Sequence, residues 1–117
     1  PMLQHLMKGQ RGKLRALILA PTRELAEQTN VAIKELGGKT GLRSISIYGG
    51  VSAKPQKSRL SNGVDIVVAC PGRLLDLKNQ GAIDLRNIEI LVLDEKALLA
   101  RARQTCADLF NRAGVTL

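Results

Sequence analysis

The sequence predicts an α/β fold: a parallel sheet of about four strands with flanking helices. Three observations predict it. Four short apolar runs, at 15–20, 43–48, 64–69 and 88–93, alternate with segments of helical periodicity. Strict strand–helix alternation implies parallel pairing through right-handed crossovers. Three of the runs are near-continuously apolar, as strands covered on both faces are. Glycine or proline stands at almost every junction, where chain direction must change.

The elements follow in order. Residues 1–7 read as the tail of a helix, and 8–13 as a basic, glycine-punctuated connector. The run 15–20 is a buried strand, turned by Pro21-Thr22. Over 23–36, Leu25, Ala26, Ala32, Ile33 and Leu36, with Val31 more weakly, recur at helical spacing. Gly37-Gly38 ends that helix. The run 43–48 alternates polar and apolar like a strand and breaks at Gly49-Gly50. A short helix follows Pro55 and stops at Asn62-Gly63. After the strand 64–69, Pro71 opens a helix that Gly81 closes. The strand 88–93 comes last, followed by a helix over 96–112.

With 117 residues, the chain is one domain, large enough for a core but small for a complete nucleotidase. Aromatics are only 2%, so the core is aliphatic and base stacking on side chains is disfavoured. The net charge of +8 favours polyanionic partners, nucleic acid first, over a merely soluble basic surface. Cys70 and Cys106 are too few for a disulfide framework or a zinc knuckle, which fits a reduced, cytoplasmic setting. No apolar run approaches a membrane span, and no signal peptide is apparent. The opening Pro1-Met2 reads either as processing or as an excised segment.

In open α/β sheets, ligands bind at the carboxyl ends of the strands. Four loops stand there. In Pro21-Thr22-Arg23, Thr22 can cap a helix whose N-terminal amides attract anions, and Arg23 adds a fork suited to phosphate. Gly49-Gly50 allows positive φ and close ligand approach. In Cys70-Pro71-Gly72-Arg73, Pro71 suits the first helical position, Gly72 leaves room and Arg73 supplies a second cation. Asp94-Glu95 ends the last strand with two adjacent carboxylates, the type of pair that holds magnesium and activates water in nucleotide hydrolysis. Each loop also has a plainer reading: a capped helix, a turn, a helix start, a solvated acidic pair. Together they set two arginines, two helix N-termini and a glycine loop on one sheet edge, a track for a sugar-phosphate backbone that needs no base reading.

The strings A-P-T-R-E-L-A-x-Q at 20–28, Y-G-G at 48–50, D-I-V-V-A-C-P-G-R-L-L-D-L at 65–77 and L-V-L-D-E at 91–95 resemble, in order and spacing, the DEAD-box RNA helicases. The resemblance covers residues 1–95. It implies a truncated RecA-like first helicase domain over 1–95. From 96 onward no resemblance is found, and 96–117 reads from its own residues as a divergent amphipathic C-terminal helix. Residues 1–6 resemble the segment just after the family's phosphate-binding loop. The resemblance further implies RNA-backbone contacts at Pro21, Thr22, Arg23, Gly49, Gly50, Pro71, Gly72 and Arg73. Asp94 would hold magnesium through water and Glu95 would help activate the attacking water, both in a complete parent domain with ATP and Mg.

The departures count equally. Cys70 stands where the family usually has Thr, which removes a hydroxyl contact and a good N-cap. Lys96 and Ala97 follow Glu95 where Ala-Asp should. No G-x-x-x-x-G-K-[ST] loop occurs, and the adenine-reading motif, the coupling motif and the second domain with its arginine finger are missing. No cofactor is therefore expected for this chain alone. In the tail, Leu98, Leu99, Ala102, Cys106, Leu109, Phe110 and Ala113 form one apolar stripe, fit to cover the sheet or to form a dimer interface.

Three readings compete: a catalytically incomplete part of an ATP-dependent RNA helicase, a non-catalytic module that grips RNA backbone, and a structural piece stabilised as a homo-oligomer through orphaned strand edges.

Overall fold

A computed structural model describes residues 13–37 and 41–93. Strand β1 (Ala16–Leu19) leads into helix α1 (Arg23–Gly37), and β2 (Ser44–Ile47) into α2 (Lys54–Ser61). Strand β3 (Ile66–Ala69) leads into α3 (Pro71–Asn79), and β4 (Ile90–Leu93) closes the described chain. The four strands form one parallel sheet in the order β2-β3-β1-β4. The elements expected between 15 and 93 are all present, with strands trimmed by one or two residues at their ends. The expected helix tail at 1–7, the carboxylates Asp94 and Glu95, the boundary after residue 95 and the helix over 96–112 lie outside the described residues.

Register puts Ala16 beside both Ile66 and Ile90, so alternate residues of each strand share a face. On one face Leu17, Leu19, Ile45, Ile47 and Val67 pack with Leu74 and Leu77 of α3 and with Ile83 and Leu85 beyond it. On the other, the smaller Ala16, Ala20, Ile66 and Val68 meet Ala26 and Ile33 of α1. Every residue of β3 is fully buried, as expected of a strand inside a doubly covered parallel sheet.

The face of α1 differs from the stripe read in the sequence. Ala26, Asn30 and Gly37 are buried, with Ile33 between them, while Val31 is 51% and Leu36 80% exposed. Steps of four, three and four residues keep 26, 30, 33 and 37 on one side. Leu36 falls off that side despite its hydrophobicity.

The amino edge of the sheet is closed by polar contacts. The buried Asp65 side chain accepts from the Arg43 backbone N–H at 2.9 Å, while its carbonyl accepts from Arg15 and Ala16. Arg15, itself buried, pairs with Glu89 at 3.2 Å. These bonds fix the starts of all four strands, and the loops at the carboxyl edge are free to differ in composition.

Candidate nucleic-acid interface

The ladder continues past the strands to the carboxyl edge. Ala20 N–H donates to the Ala69 carbonyl at 2.9 Å, and Cys70 N–H to the Ile47 carbonyl at 2.8 Å. These bonds level the ends of β1, β3 and β2. The loops that follow them therefore stand side by side: Tyr48 to Val51, then Cys70 to Arg73, then Ala20 to Arg23.

Thr22 caps α1. Its Oγ1 accepts from the Leu25 backbone N–H at 3.2 Å, and its carbonyl from Ala26 at 3.0 Å. Pro21 is half-buried, and Thr22 and Arg23 are exposed. The Arg23 guanidinium reaches over the Tyr48 ring, 4.8 Å from its centroid. The Tyr48 hydroxyl in turn donates to Glu27, which also accepts from Ser46 Oγ at 2.9 Å. The bonds from Tyr48 and Ser46, with the Arg23 charge nearby, hold the Glu27 carboxyl below its ordinary range. The same bond to Glu27, aided by burial, raises the Tyr48 phenol above its own.

Gly49 and Gly50 are exposed, and a Cβ built on either meets nothing within 4 Å. Gly50 has φ +81°, a conformation that side chains resist. The room beside this loop therefore opens outward, where a backbone can approach.

Pro71 is buried at the start of α3, where its missing N–H costs nothing. Gly72 is exposed, with open space at its Cβ position. Cys70 takes the N-cap place with extended dihedrals, φ −82° and ψ 134°, and no side-chain cap bond forms. That matches the loss expected when a thiol replaces a hydroxyl. Burial, with the Glu24 charge second, pushes the Cys70 thiol upward, which makes it a poor nucleophile.

Arg73 is occupied by the protein. Its Nη2 donates to the Val51 carbonyl at 2.8 Å and its Nη1 to Gln56 Oε1 at 3.3 Å. Gln56 Nε2 donates to the Tyr48 carbonyl at 3.1 Å. The sequence reading placed Arg73 among the RNA contacts; the structure gives it this second task.

Eight of the ten expected site residues thus lie along one edge, and Asp94 and Glu95 fall outside the described residues. Tyr48, Glu27 and Gln56 had no assigned role in the sequence reading. Tyr48 precedes the glycine pair and Glu27 sits one turn beyond Arg23, spacings that could have drawn notice. Gln56 left no signal, because α2 is largely polar and shows no apolar stripe.

The DEAD/DEAH box helicase family model matches residues 1–113. The chain belongs to the DEAD/DEAH box helicase family. It is 45% identical over 102 residues to the DEAD-box ATP-dependent RNA helicase 3B, chloroplastic, of Zea mays, covering 81% of this chain and 14% of that protein. To the ATP-dependent RNA helicase dbp10 of Schizosaccharomyces pombe it is 49% identical over 96 residues, covering 81% and 11%. The chain thus spans less than one-sixth of the length of these helicases. The crystal structure of the yeast DEAD-box splicing factor Prp28 superposes with a TM-score of 0.85 at 29% identity, over 97% of this chain and 29% of that one. A hypothetical ATP-dependent RNA helicase from Sulfolobus tokodaii matches at 37% identity and a TM-score of 0.71, again over 97% and 29%. The parallel sheet is therefore the RecA-like fold of DEAD-box helicases.

Proposed function

We propose that this chain supplies the RNA-backbone grip of the first RecA-like domain of an ATP-dependent RNA helicase. Thr22, Arg23, Gly49, Gly50, Gly72 and Arg73, with the half-buried Pro21, form the contact surface, and the buried Pro71 sets the start of α3 beneath it. The observation that carries the reading is the continuity of the carboxyl edge. The Arg23–Tyr48 contact and the Arg73–Val51 bond join two helix N-termini to an open glycine loop. Helix N-termini favour phosphate, and glycines admit a backbone without a side chain in the way.

In the parent enzyme Asp94 would hold magnesium through water and Glu95 would help activate the attacking water on ATP. Both lie outside the described residues. Among the described residues, no group of three or more His, Cys, Asp or Glu side chains gathers as a metal site. In this proposal the edge serves binding, and hydrolysis belongs to the parent domain. No helix among the described residues is long and apolar enough to cross a membrane. A cytoplasmic setting is proposed on the low cysteine count. Self-association is proposed from the two flanking strands β2 and β4 and from Val92, 43% exposed on β4. Sedimentation at micromolar concentration tests it, and a single monomeric species overturns it.

The RNA reading is tested by titrating the chain with a labelled single-stranded oligouridylate at several salt concentrations. Backbone binding gives a log–log slope of about −0.7 per neutralised phosphate. It also gives little change when the base sequence is altered. Strong dependence on base sequence, or no binding at low salt, overturns the reading.

A further inference from the structure

We propose that Gln56 is a positioning residue for RNA binding: with Arg73 it clamps the Gly49–Gly50 loop in the shape that accepts a nucleic-acid backbone. This rests on the binding reading above and deepens it.

Gln56 is the one buried residue of α2, 8% exposed, on a helix that also packs the partly buried Leu60 against the core. A buried amide must satisfy both its ends. Its Nε2 donates to the carbonyl of Tyr48, immediately before the glycine pair. Its Oε1 accepts from Arg73, whose other nitrogen donates to the carbonyl of Val51, immediately after the pair. Both flanks of Gly49–Gly50 are therefore held by one relay rooted in two helices. Among the described residues, Gly49, Gly50 and Val51 make no backbone–backbone hydrogen bond outside this relay.

The relay answers a cost. Two adjacent glycines have more conformations to lose than any other pair, and a loop ordered only on binding subtracts that loss from affinity. Fixing the flanking carbonyls beforehand removes most of it. The arrangement also divides the work of Arg73. Its charge lies at the RNA edge, while its planar fork is required for two acceptors in fixed directions. Lysine, a point charge with no fork, keeps the first property and loses the second.

The test separates positioning from charge. Gln56→Leu removes both amide bonds without changing charge, and Arg73→Lys keeps the charge without the fork. Each is expected to weaken oligouridylate binding by about tenfold with the salt slope unchanged. The double variant is expected to lose no more than the larger single loss, since both break one relay. A second readout needs no RNA. Backbone ¹⁵N order parameters of Gly49 and Gly50 should sit near 0.85 in the wild-type chain and fall below about 0.6 in both single variants. Should Gln56→Leu fail to fold, Arg73→Lys alone carries both readouts. Wild-type affinity in the variants, or an unchanged glycine pair, overturns the clamp. Absence of RNA binding by the wild-type chain overturns the function proposed above, and the order parameters then decide the clamp by themselves.

Discussion

The guanidinium of Arg23 lies 4.8 Å from the centroid of the Tyr48 ring, and this contact joins the start of α1 to the end of β2 across the end of β3. The pair belongs to a short polar chain. Arg23 covers the ring, the Tyr48 hydroxyl donates to Glu27, and Glu27 accepts from Ser46. Cation–π contacts at exposed sites contribute about 0.5–1 kcal/mol. The larger effect is directional, since the chain fixes the tyrosine that begins the glycine loop.

Glu27 makes the stability of this corner pH-dependent. Its folded pKa is lowered by Tyr48 and then Ser46. Its stabilising contribution is therefore fully present above the ordinary glutamate range and is lost as pH falls through the lowered folded value. Asp84 adds a second acid-labile step. Its Arg86 partner, through side-chain and backbone bonds, lowers it to about 2, although half-exposure keeps its effect small. The melting temperature of Glu27→Gln should lie below wild type at neutral pH and converge with it in acid. A constant gap across pH would show that Glu27 acts by packing alone.

The two glycines of the loop should separate folding from binding. Gly50 has φ +81°, so Gly50→Ala places a side chain in a strained region and should cost about 1 kcal/mol or more. Gly49 carries no such strain, and a Cβ there meets nothing within 4 Å. Gly49→Ala should leave the denaturation midpoint within about 0.5 kcal/mol of wild type while weakening RNA binding, because the added methyl stands where the backbone approaches. Equal RNA affinity in Gly49→Ala and wild type would remove Gly49 from the interface.

How much of this was legible in the sequence depended on the kind of interaction. Apolar runs such as 64–69 announce a buried strand because burial on both faces constrains every position. Pro71 and Thr22 announced their helix starts because capping is a local event. The buried side of α1 differs from the sequence stripe at Val31, Ala32 and Leu36, all exposed, since hydrophobicity alone does not choose which stripe meets the sheet. Gln56 was invisible for a related reason. Its partners Tyr48 and Arg73 lie 8 and 17 residues away, and only the sheet order brings them together.

Cys70 offers a stabilising substitution. Its N-cap dihedrals are already extended, and no side chain caps α3. Replacement by Ser or Thr supplies a hydroxyl that can accept from an N-terminal amide of the helix. Each should raise stability by about 1 kcal/mol, read as a shifted denaturation midpoint at unchanged slope. The thiol itself should react slowly with a disulfide reagent near neutral pH, since burial raises its pKa. A neutral or destabilising Cys70→Ser would mean that packing of the sulfur beside Ala20, Ala26 and Val68 outweighs the cap.

The 117-residue chain should neither bind ATP tightly nor turn it over. Triphosphate binding in this fold needs a loop of backbone amides with a lysine, in register with the carboxylates. The sequence contains no G-x-x-x-x-G-K-[ST] string, and Lys96-Ala97 follows Glu95. Phosphate release by the purified chain should match a no-protein control, and Glu95→Gln should change nothing. Turnover that disappears in Glu95→Gln would refute this.

Arg23 should contribute to RNA binding through its charge. It is exposed at the first turn of a helix capped by Thr22, beside amides that already favour an anion. Its guanidinium lies 4.8 Å from the centroid of Tyr48, the residue that begins the glycine loop. Neutralising one phosphate contributes about 0.7 to the salt slope. Arg23→Ala should flatten the slope by about that amount and weaken binding at low salt, whereas Arg23→Lys should restore the slope. Tyr48→Leu should lower affinity while leaving the slope intact, because it removes the support and keeps the charge. If Arg23→Ala leaves the slope unaltered, binding is carried by the diffuse net charge of +8, and the edge built from β1, β2 and β3 is not the RNA track.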